Sequence, residues 1–384
     1  MAKLVDFVVS ERQRQAVEAM ETHGTLTKAA NALGINRSSL TNLVKRAQRQ
    51  AAIRGWSPDH DMVKTVPEPF VVKGTSTLYD ESGVQKLQWV KTSVEHEKLL
   101  AIMREVVDEL KTDVKPLKPI KRETKHVNED LLTLYTLSDA HIGMLAWHED
   151  GGADWDVGIA EQVISDAFDS CIAASPDSEI GFFAQLGDGL HYDGMVAETP
   201  RSKHKVDADS RNPKMVRAAV RIFRNATARL LQKHRKVVVL MAQGNHDEGG
   251  SVWLQTLWSI IFEDNPRVDV IVSSNPFYAY HYGNSLLGFY HGQDKKPEEL
   301  PAVFSNQFRE LHGKTKRTYI HCGHRHSQRV IECGSTLVQQ HPTVAARDAY
   351  ASHHGYFSSR AMLTTTYHKK KCKVSEVIHH VEID

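Results

Sequence analysis

Cysteine is scarce in this chain. Cys171, Cys322, Cys333 and Cys372 are the four in 384 residues, and none forms a CxxC pair. Reduced thiols are expected in preference to disulfides or a zinc knot. An excess of one charge is missing too, because 48 Lys and Arg meet 47 Asp and Glu for a net charge of +1. The whole molecule is no polycation. No apolar run approaches the roughly 20 residues a membrane helix needs, so no membrane partner is expected. The opening Met1-Ala2-Lys3-Leu4-Val5-Asp6 has no apolar leader core with a cleavage site. Internal repeats and low-complexity tracts are not visible. Together these absences predict a cytoplasmic protein.

What is present is globular in composition, 41% apolar and 25% charged. The length predicts two or three domains. Histidine is abundant at 22 residues, more than one site can use.

Charge is uneven along the chain. Residues 1–56 hold nine Lys and Arg against four Asp and Glu, a local excess that attracts polyanions. Within them, residues 11–50 read as three short helices. Gln13 to Glu21 is the first, and Thr25 caps the second, Thr27 to Leu33, with Ala29, Ala30 and Leu33 inward. Gly34-Ile35-Asn36 is a tight turn in which the glycine takes a positive φ. Arg37 to Gln50 is the third, with Leu40, Leu43, Val44 and Ala47 at helical spacing.

Residues 55–67 read as a polar linker. Phe70 to Leu78 and Gln85 to Thr92 are β-rich around the turn Asp80-Glu81-Ser82-Gly83 and predict a hairpin. Glu95 to Leu110 reads as an amphipathic helix with Leu99, Ile102, Val106 and Leu110 inward. Lys115 to Pro119 is a second linker.

From Leu131 strands and helices alternate. Strands are expected at Leu131–Leu137, Ile180–Leu186, Lys236–Ala242, Ser285–Tyr290 and Thr318–Cys322. Later strands are expected at Val330–Glu332, Thr336–Gln340, Leu363–Tyr367 and Val374–Val381. Helices are expected at Ile159–Ala174, Pro213–His234, opened by its proline, and Val252–Phe262. This pattern predicts an α/β sandwich with its site at the strand ends.

Five motifs follow those strands: Asp139-Ala140-His141, Gly187-Asp188, Gly244-Asn245-His246-Asp247, His291-Gly292 and Gly323-His324-Arg325-His326. They bring carboxylate, amide and imidazole groups to one sheet edge. Such mixed oxygen and nitrogen donors suit a pair of divalent transition ions, and paired ions cleave phosphate esters.

The N-terminal segment TLTKAANALGINRSSLTNLVKRA resembles a helix-turn-helix of the Fis-like kind. That resemblance implies DNA contacts from Arg37, Ser38, Ser39, Thr41, Asn42 and Lys45. A small bundle that binds protein or dimerises is the alternative. The five later motifs resemble the calcineurin-like metallophosphoesterase superfamily over roughly residues 131–345. The resemblance implies a metallophosphoesterase β-sandwich flanked by helices. It also implies one metal on Asp139, His141, Asp188 and His326, and a second on Asp188, Asn245, His291 and His324, with Asp188 bridging. His246 is then the general acid, since expulsion of an alkoxide needs a proton near neutral pH.

The segment GDGLHYDG carries His191 where phosphoprotein phosphatases of this superfamily have an aspartate. That variant is similar to SbcD-type repair nucleases and implies that His191 supports His246. Asp193 is a possible substitute carboxylate. The polar insert Tyr192–Asn212, with Arg201, Lys203, His204, Lys205 and Arg211, is expected to border the cleft, where it holds phosphates or is merely solvated. Arg325 and Arg347, with Asp348, are further candidates to face substrate. Trp147 and Trp155 are base-stacking candidates, more often core or lid residues.

Domain order, with FVVKGTSTLYDESG and MLAWHEDGG, resembles phage or prophage phosphoesterases carrying an N-terminal helix-turn-helix. The expected division is 1–56 for DNA binding, 57–127 as linker, hairpin and helix, and 128–384 for catalysis. The expected function is a DNA phosphodiesterase with two divalent ions. Manganese is favoured by the nuclease resemblance, while iron, zinc and cobalt are also compatible. A homodimer is expected from the helix-turn-helix habit. A phosphatase or cyclic-nucleotide phosphodiesterase with a regulatory N-terminus is the rival, and a non-enzymatic DNA-binding regulator the third reading.

Overall fold

The computed structural model describes residues 3–58, 62–63, 70–79, 85–94, 120–124 and 126–381. The chain divides into two compact units, Met1–Asp113 and Val114–Asp384. The expected helix Glu95–Leu110, the turn Asp80–Gly83 and the linker Lys115–Pro119 lie outside the described residues.

In the first unit, α1 (Glu11–His23), α2 (Leu26–Ala32) and α3 (Arg37–Ile53) form as expected, with α3 three residues longer. Each is capped by a short polar side chain: Ser10 accepts from the Gln13 amide, Thr25 from Lys28 and Asn36 from Ser39. Gly24 and Gly34 take φ of 71° and 64°, which lets both turns close without strain. Ala16, Ala19, Ala29, Ala30 and Leu40 form the core, with Leu33, Leu43 and Val44 packed against it. Small side chains here allow close helix approach. The linker expectation at 55–67 needs amendment: β1 (Trp56–Ser57) pairs antiparallel with β2 (Met62–Val63). The expected hairpin is β3 (Phe70–Tyr79) against β4 (Gln85–Val94).

The second unit holds two sheets. One has six strands in the order β15-β14-β5-β6-β7-β8. These are β5 (Asn128–Leu137), β6 (Ser178–Gln185), β7 (Lys236–Met241), β8 (Val268–Ile271), β14 (Ala361–His368) and β15 (Cys372–His380). The other has five, in the order β12-β13-β11-β10-β9. These are β9 (Tyr278–Tyr282), β10 (Ser285–Tyr290), β11 (Arg317–Cys322), β12 (Arg329–Cys333) and β13 (Thr336–Gln340). Strands β5 to β8 run parallel, as do β10, β11 and β13, while β9, β12, β14 and β15 lie antiparallel to their neighbours.

The sheets pack face to face through Leu132, Leu134, Phe182, Leu240, Leu287 and Phe289. Alternation along β6 decides which layer each side chain joins. Phe182 stacks on Phe289 at 5.0 Å between the sheets, while Phe183 turns outward to Phe168 at 5.1 Å. Full burial of each such ring is worth roughly 1.5–3 kcal/mol. The outer face of the six-stranded sheet is covered by α4 (Val157–Ala174), α5 (Asn212–Lys233) and α6 (Glu248–Ile261). Phe223 of α5 meets both Phe183 and Trp258 of α6. The other sheet packs Tyr290, Ile320 and Val338 on α7 (Leu300–Gln307) through Leu300 and Phe304.

The result is the expected α/β arrangement, with three departures. Strands β8 and β9 and helix α7 escaped the periodicity reading. Helix α6 begins at Glu248, four residues before Val252, because Gly249 and Gly250 hid its first turn. The five motifs come from the ends of two sheets and not from one sheet edge. Among the described residues, no helix is long and apolar enough to cross a membrane, and all four cysteines are free thiols.

Candidate metal centre

The C-terminal ends of β5, β6, β7, β10 and β11 converge. Asp139, Asp188 and Asn245 come from loops of the six-stranded sheet, while His291, His324 and His326 come from loops of the five-stranded one. Backbone strain marks these loops. Among the described non-glycine residues, those with positive φ include Asp139 (51°), His141 (41°), Asp188 (51°), His324 (70°) and His326 (53°). Each such conformation costs on the order of 1–3 kcal/mol and persists only where neighbours enforce it. The enforcing contacts are visible. The His141 amide donates to the Asp188 carbonyl (2.9 Å), the Thr343 hydroxyl to the Asp139 carbonyl (2.7 Å), and the His324 amide to the Asp139 carboxylate (3.0 Å).

Two glycines make the approach possible. Gly187 has φ 98°, and a Cβ there would sit 2.6 Å from His291 Nδ1. A Cβ on Gly244 would strike the Asp188 backbone nitrogen and carboxylate. Any side chain at either position would push the loops apart.

Among the described residues three donor groups result: Asp139 with His141 and His326, Asp188 with His291 and His324, and His141 with His191 and His246, each with its ligating atoms within 4.8 Å of one another. His291 Nε2 lies 3.1 Å from Asp188 Oδ2 and 3.0 Å from the Asn245 amide oxygen. His291 Nδ1 donates to the Leu186 carbonyl at 2.9 Å, which aims Nε2 inward. His326 Nε2 is 3.4 Å from Asp139 Oδ1 and 3.2 Å from His141 Nε2. Asp139, Asp188 and His291 are fully buried or nearly so, at 0%, 1% and 0% exposure.

Charge is contested in this space. Burial raises the Asp139 carboxyl, but His326 and His291 pull it far below the usual range. Asp188 goes the same way, burial being outweighed by His291 and His246. Burial opposes protonation of His291, yet Asp188 and then Asp139 lift it to about 10. His326 is likewise raised, against burial, by Asp139. Burial and His246 depress His141, while burial and His291 bring His324 down to about 4. Ionised carboxylates, neutral imidazoles and an amide oxygen are the donor set that divalent transition ions take. The cluster thus fits two cations, and each would displace protons to bind.

His246 stands at the mouth, half-buried. Its amide donates to Asp188 Oδ1 (2.8 Å), its Nδ1 to the His191 carbonyl (2.8 Å), and its ring meets that of His141 at 4.8 Å. His191 is close, and joins His246 twice: its carbonyl takes the Nδ1 bond, and the two rings stack at 5.6 Å. Its imidazole is 2% exposed, with Nδ1 3.2 Å from His141 Nδ1. Burial, then His246, lowers its pKa to about 3. A neutral, buried ring braces His141 and does not meet solvent.

Other candidates are redistributed. Asp193 is turned away, accepting from the Gly249 and Gly250 amides at the start of α6 (2.5 Å each). Asp247 is buried and accepts from the amides of Asp188, Leu190 and Gly244, tying the loop after β6 to its own loop after β7. Trp155 is wholly buried, its Nε1 donating to the His141 carbonyl at 3.3 Å, so base stacking is excluded for it. Arg347 bonds the Gly151 carbonyl (2.8 Å) and Ser352 (2.9 Å), and Asp348 caps the turn at Ala351. Both hold a loop. Arg325 is exposed between His324 and His326.

The insert does border the centre. Met144 bridges to Ala208, and exposed Arg201 pairs with Asp294, three residues past His291. Lys203, His204, Lys205 and Arg211 are exposed. In the other unit, Arg37, Ser38, Ser39, Asn42 and Lys45 are exposed on α3, and Thr41 is half-buried with its hydroxyl donating to the Arg37 carbonyl. Sequence reasoning missed Ser138 and Thr343, which bond Asp139, and Ser358, which bonds the His326 carbonyl. A hydroxyl gives no periodic signal, so nothing in the chain announced them.

No family model matches the chain, and no curated protein matches it. Solved structures do. The E. coli phosphoesterase Yfce is 15% identical, covering 64% of this chain and 98% of its own, with a TM-score of 0.32. An archaeal phosphodiesterase is 13% identical, covering 64% and 99%, at 0.33. A dimetal phosphatase from Danio rerio is 10% identical, covering 65% and 99%, at 0.34. At such scores the likeness is slight, and the functional reading rests on the side chains of the centre itself.

Proposed function

We propose that this protein is a two-metal phosphodiesterase of the calcineurin-like kind, acting on DNA that its N-terminal helices hold nearby. The observation that carries this reading is the gathering of two donor groups, Asp139/His141/His326 and Asp188/His291/His324, within one buried rim.

Asp139, His141, Asp188 and His326 would hold one ion, and Asp188, Asn245, His291 and His324 the other. When bound, two divalent ions would supply Lewis-acid activation of water and of the phosphoryl oxygens. The chain does the rest. Asp188 presents one oxygen to His291 and the other to the His246 amide, which suits a bridging carboxylate. With Nδ1 committed to the His191 carbonyl, His246 delivers its proton from Nε2 to the departing alkoxide. His191 steadies His141, and Asp247 keeps the loops after β6 and β7 in register. Manganese is the proposed ion, and iron, zinc or cobalt fit the same donors.

The DNA part of the reading rests on the basic α3 face and the insert's exposed Lys203, Lys205 and Arg211. Tethering to DNA would raise the local substrate concentration. The test is hydrolysis of bis-p-nitrophenyl phosphate and of single- and double-stranded DNA, with and without manganese. Asp188→Ala should lose both metals and at least ~10³-fold in rate, and His246→Ala ~10²–10⁴-fold with metal retained. DNA cleavage by Asp188→Ala at the wild-type rate would overturn the site. Hydrolysis of the small diester alone, unaffected by salt, would leave the phosphatase reading standing instead.

A further inference from the structure

The segment joining β13 to β14 carries an exposed row of rings. Tyr350 is 61% exposed, Tyr356 59% and Phe357 75%. His354 links the tyrosines, its ring 4.2 Å from Tyr350 and 5.7 Å from Tyr356. The Arg347 guanidinium lies 4.2 Å from the Phe357 ring centroid. A single exposed ring is ordinary, but a contiguous row of them marks a binding surface.

Two tethers fix the row beside the metal centre. Ser358, next to Phe357, donates to the His326 carbonyl at 2.6 Å. Arg347 bonds the Gly151 carbonyl, and the Gly151 amide in turn bonds the carbonyl of Trp147, itself 52% exposed. Residues 347–357 contain no Leu, Ile, Val or Met. An aliphatic-free surface of aromatic faces and a guanidinium matches flat, electron-rich rings attached to phosphates better than a protein's apolar side chains.

We propose that Tyr350, Tyr356 and Phe357 form a stacking platform for the unpaired bases of a single-stranded nucleic acid whose backbone enters the metal centre. This rests on the phosphodiesterase reading and specifies its substrate class. Duplex DNA keeps its bases stacked on one another and cannot use the platform. Arg347 stiffens the row by lying on Phe357, so the rings are set before substrate arrives.

The test uses the full-length protein and a Tyr350→Ala/Tyr356→Ala/Phe357→Ala variant. The exposed positions leave no cavity when truncated. The probes are a fluorescent oligothymidylate and an abasic strand of equal length and charge. Anisotropy reads binding without any need for hydrolysis. Wild type should prefer the base-bearing strand by on the order of tenfold or more, and the variant should bind both alike. The Tyr350→Phe/Tyr356→Phe variant should keep the preference, which a merely structural role for the hydroxyls would not predict. Cleavage rates, normalised to bis-p-nitrophenyl phosphate, should show the loss in KM. Equal preference in wild type and the alanine variant would overturn the platform, as would equal wild-type binding of duplex and single strand through these residues. An absence of hydrolysis of every diester, with the binding preference intact, would overturn the enzymatic reading and leave the platform supported.

Discussion

Residues 10–53 bury alanines, Val17 and Leu40, and of their polar side chains bury Gln13 while most of the others meet water. The rim from Asp139 to His326 buries carboxylates and imidazoles and bends five of them into left-handed backbone. The helices obey local rules throughout: a polar cap, an apolar stripe, a glycine where φ turns positive. The rim breaks them, with charge removed from water and non-glycine residues in strained conformations. Such violations persist only where other loops hold them and where a bound cation repays the cost. The contrast teaches where stability ends and chemistry begins in this chain.

The comparison can be broken at its weakest joint. Gly187→Ala places a Cβ 2.6 Å from His291 Nδ1 at φ 98°. We expect loss of bound metal and at least ~100-fold lower diester hydrolysis. Elemental analysis and rate measurement check it, and full metal content would show the rim to be tolerant. Next in size is Leu40→Ala, in the fully buried heart of the helices. It should cost about 2–5 kcal/mol in the stability of that unit. Thermal unfolding should reveal the loss, while metal content stays at the wild-type level.

Acid should then separate the two units. His234 is buried, held between Tyr135 and Ser178, and burial lowers it to about 4. His341, buried against His321, is brought down to about 3 by burial, and His321 is depressed as well. The unfolded chain takes up these protons near pH 6.5, the folded one only well below it. Stability is therefore complete above 6.5 and drains as pH falls toward 4, by about 3 kcal/mol for His234 alone. The helices at 11–53 hold one histidine, the exposed His23, and bury none. Hydrogen exchange at the amides of α1–α3 against those of β5–β7 across pH 7 to 4 would check it. Coincident transitions would sink the distinction.

Legibility followed the same divide. The helix pattern at Leu40, Leu43, Val44 and Ala47 could be read because burial repeats at the helical period. So could β10, whose expected span Ser285–Tyr290 is the observed one. Strand β9 was legible in principle, since Tyr278, Tyr280 and Tyr282 alternate at the β period behind Asn275-Pro276, but the strand is short, at five residues, and half polar toward solvent. Among site residues, Asp139, Asp188, Asn245 and His291 were signalled by the strands ahead of them. Thr343 and Ser358 had no such herald, because their partners lie far away in the chain.

By itself the sequence determined which groups carry chemistry and that each follows a strand, since donor type and β-period are local properties. It also determined the helices at 11–53 by spacing and capping. Only the tertiary structure decided that two sheets share the work, that Asp193 and Arg347 serve as braces, that His191 is sealed from water, and that exposed rings line one side. Those are matters of distance between loops remote in the chain, and hydrogen bonds across such gaps leave no trace in residue order.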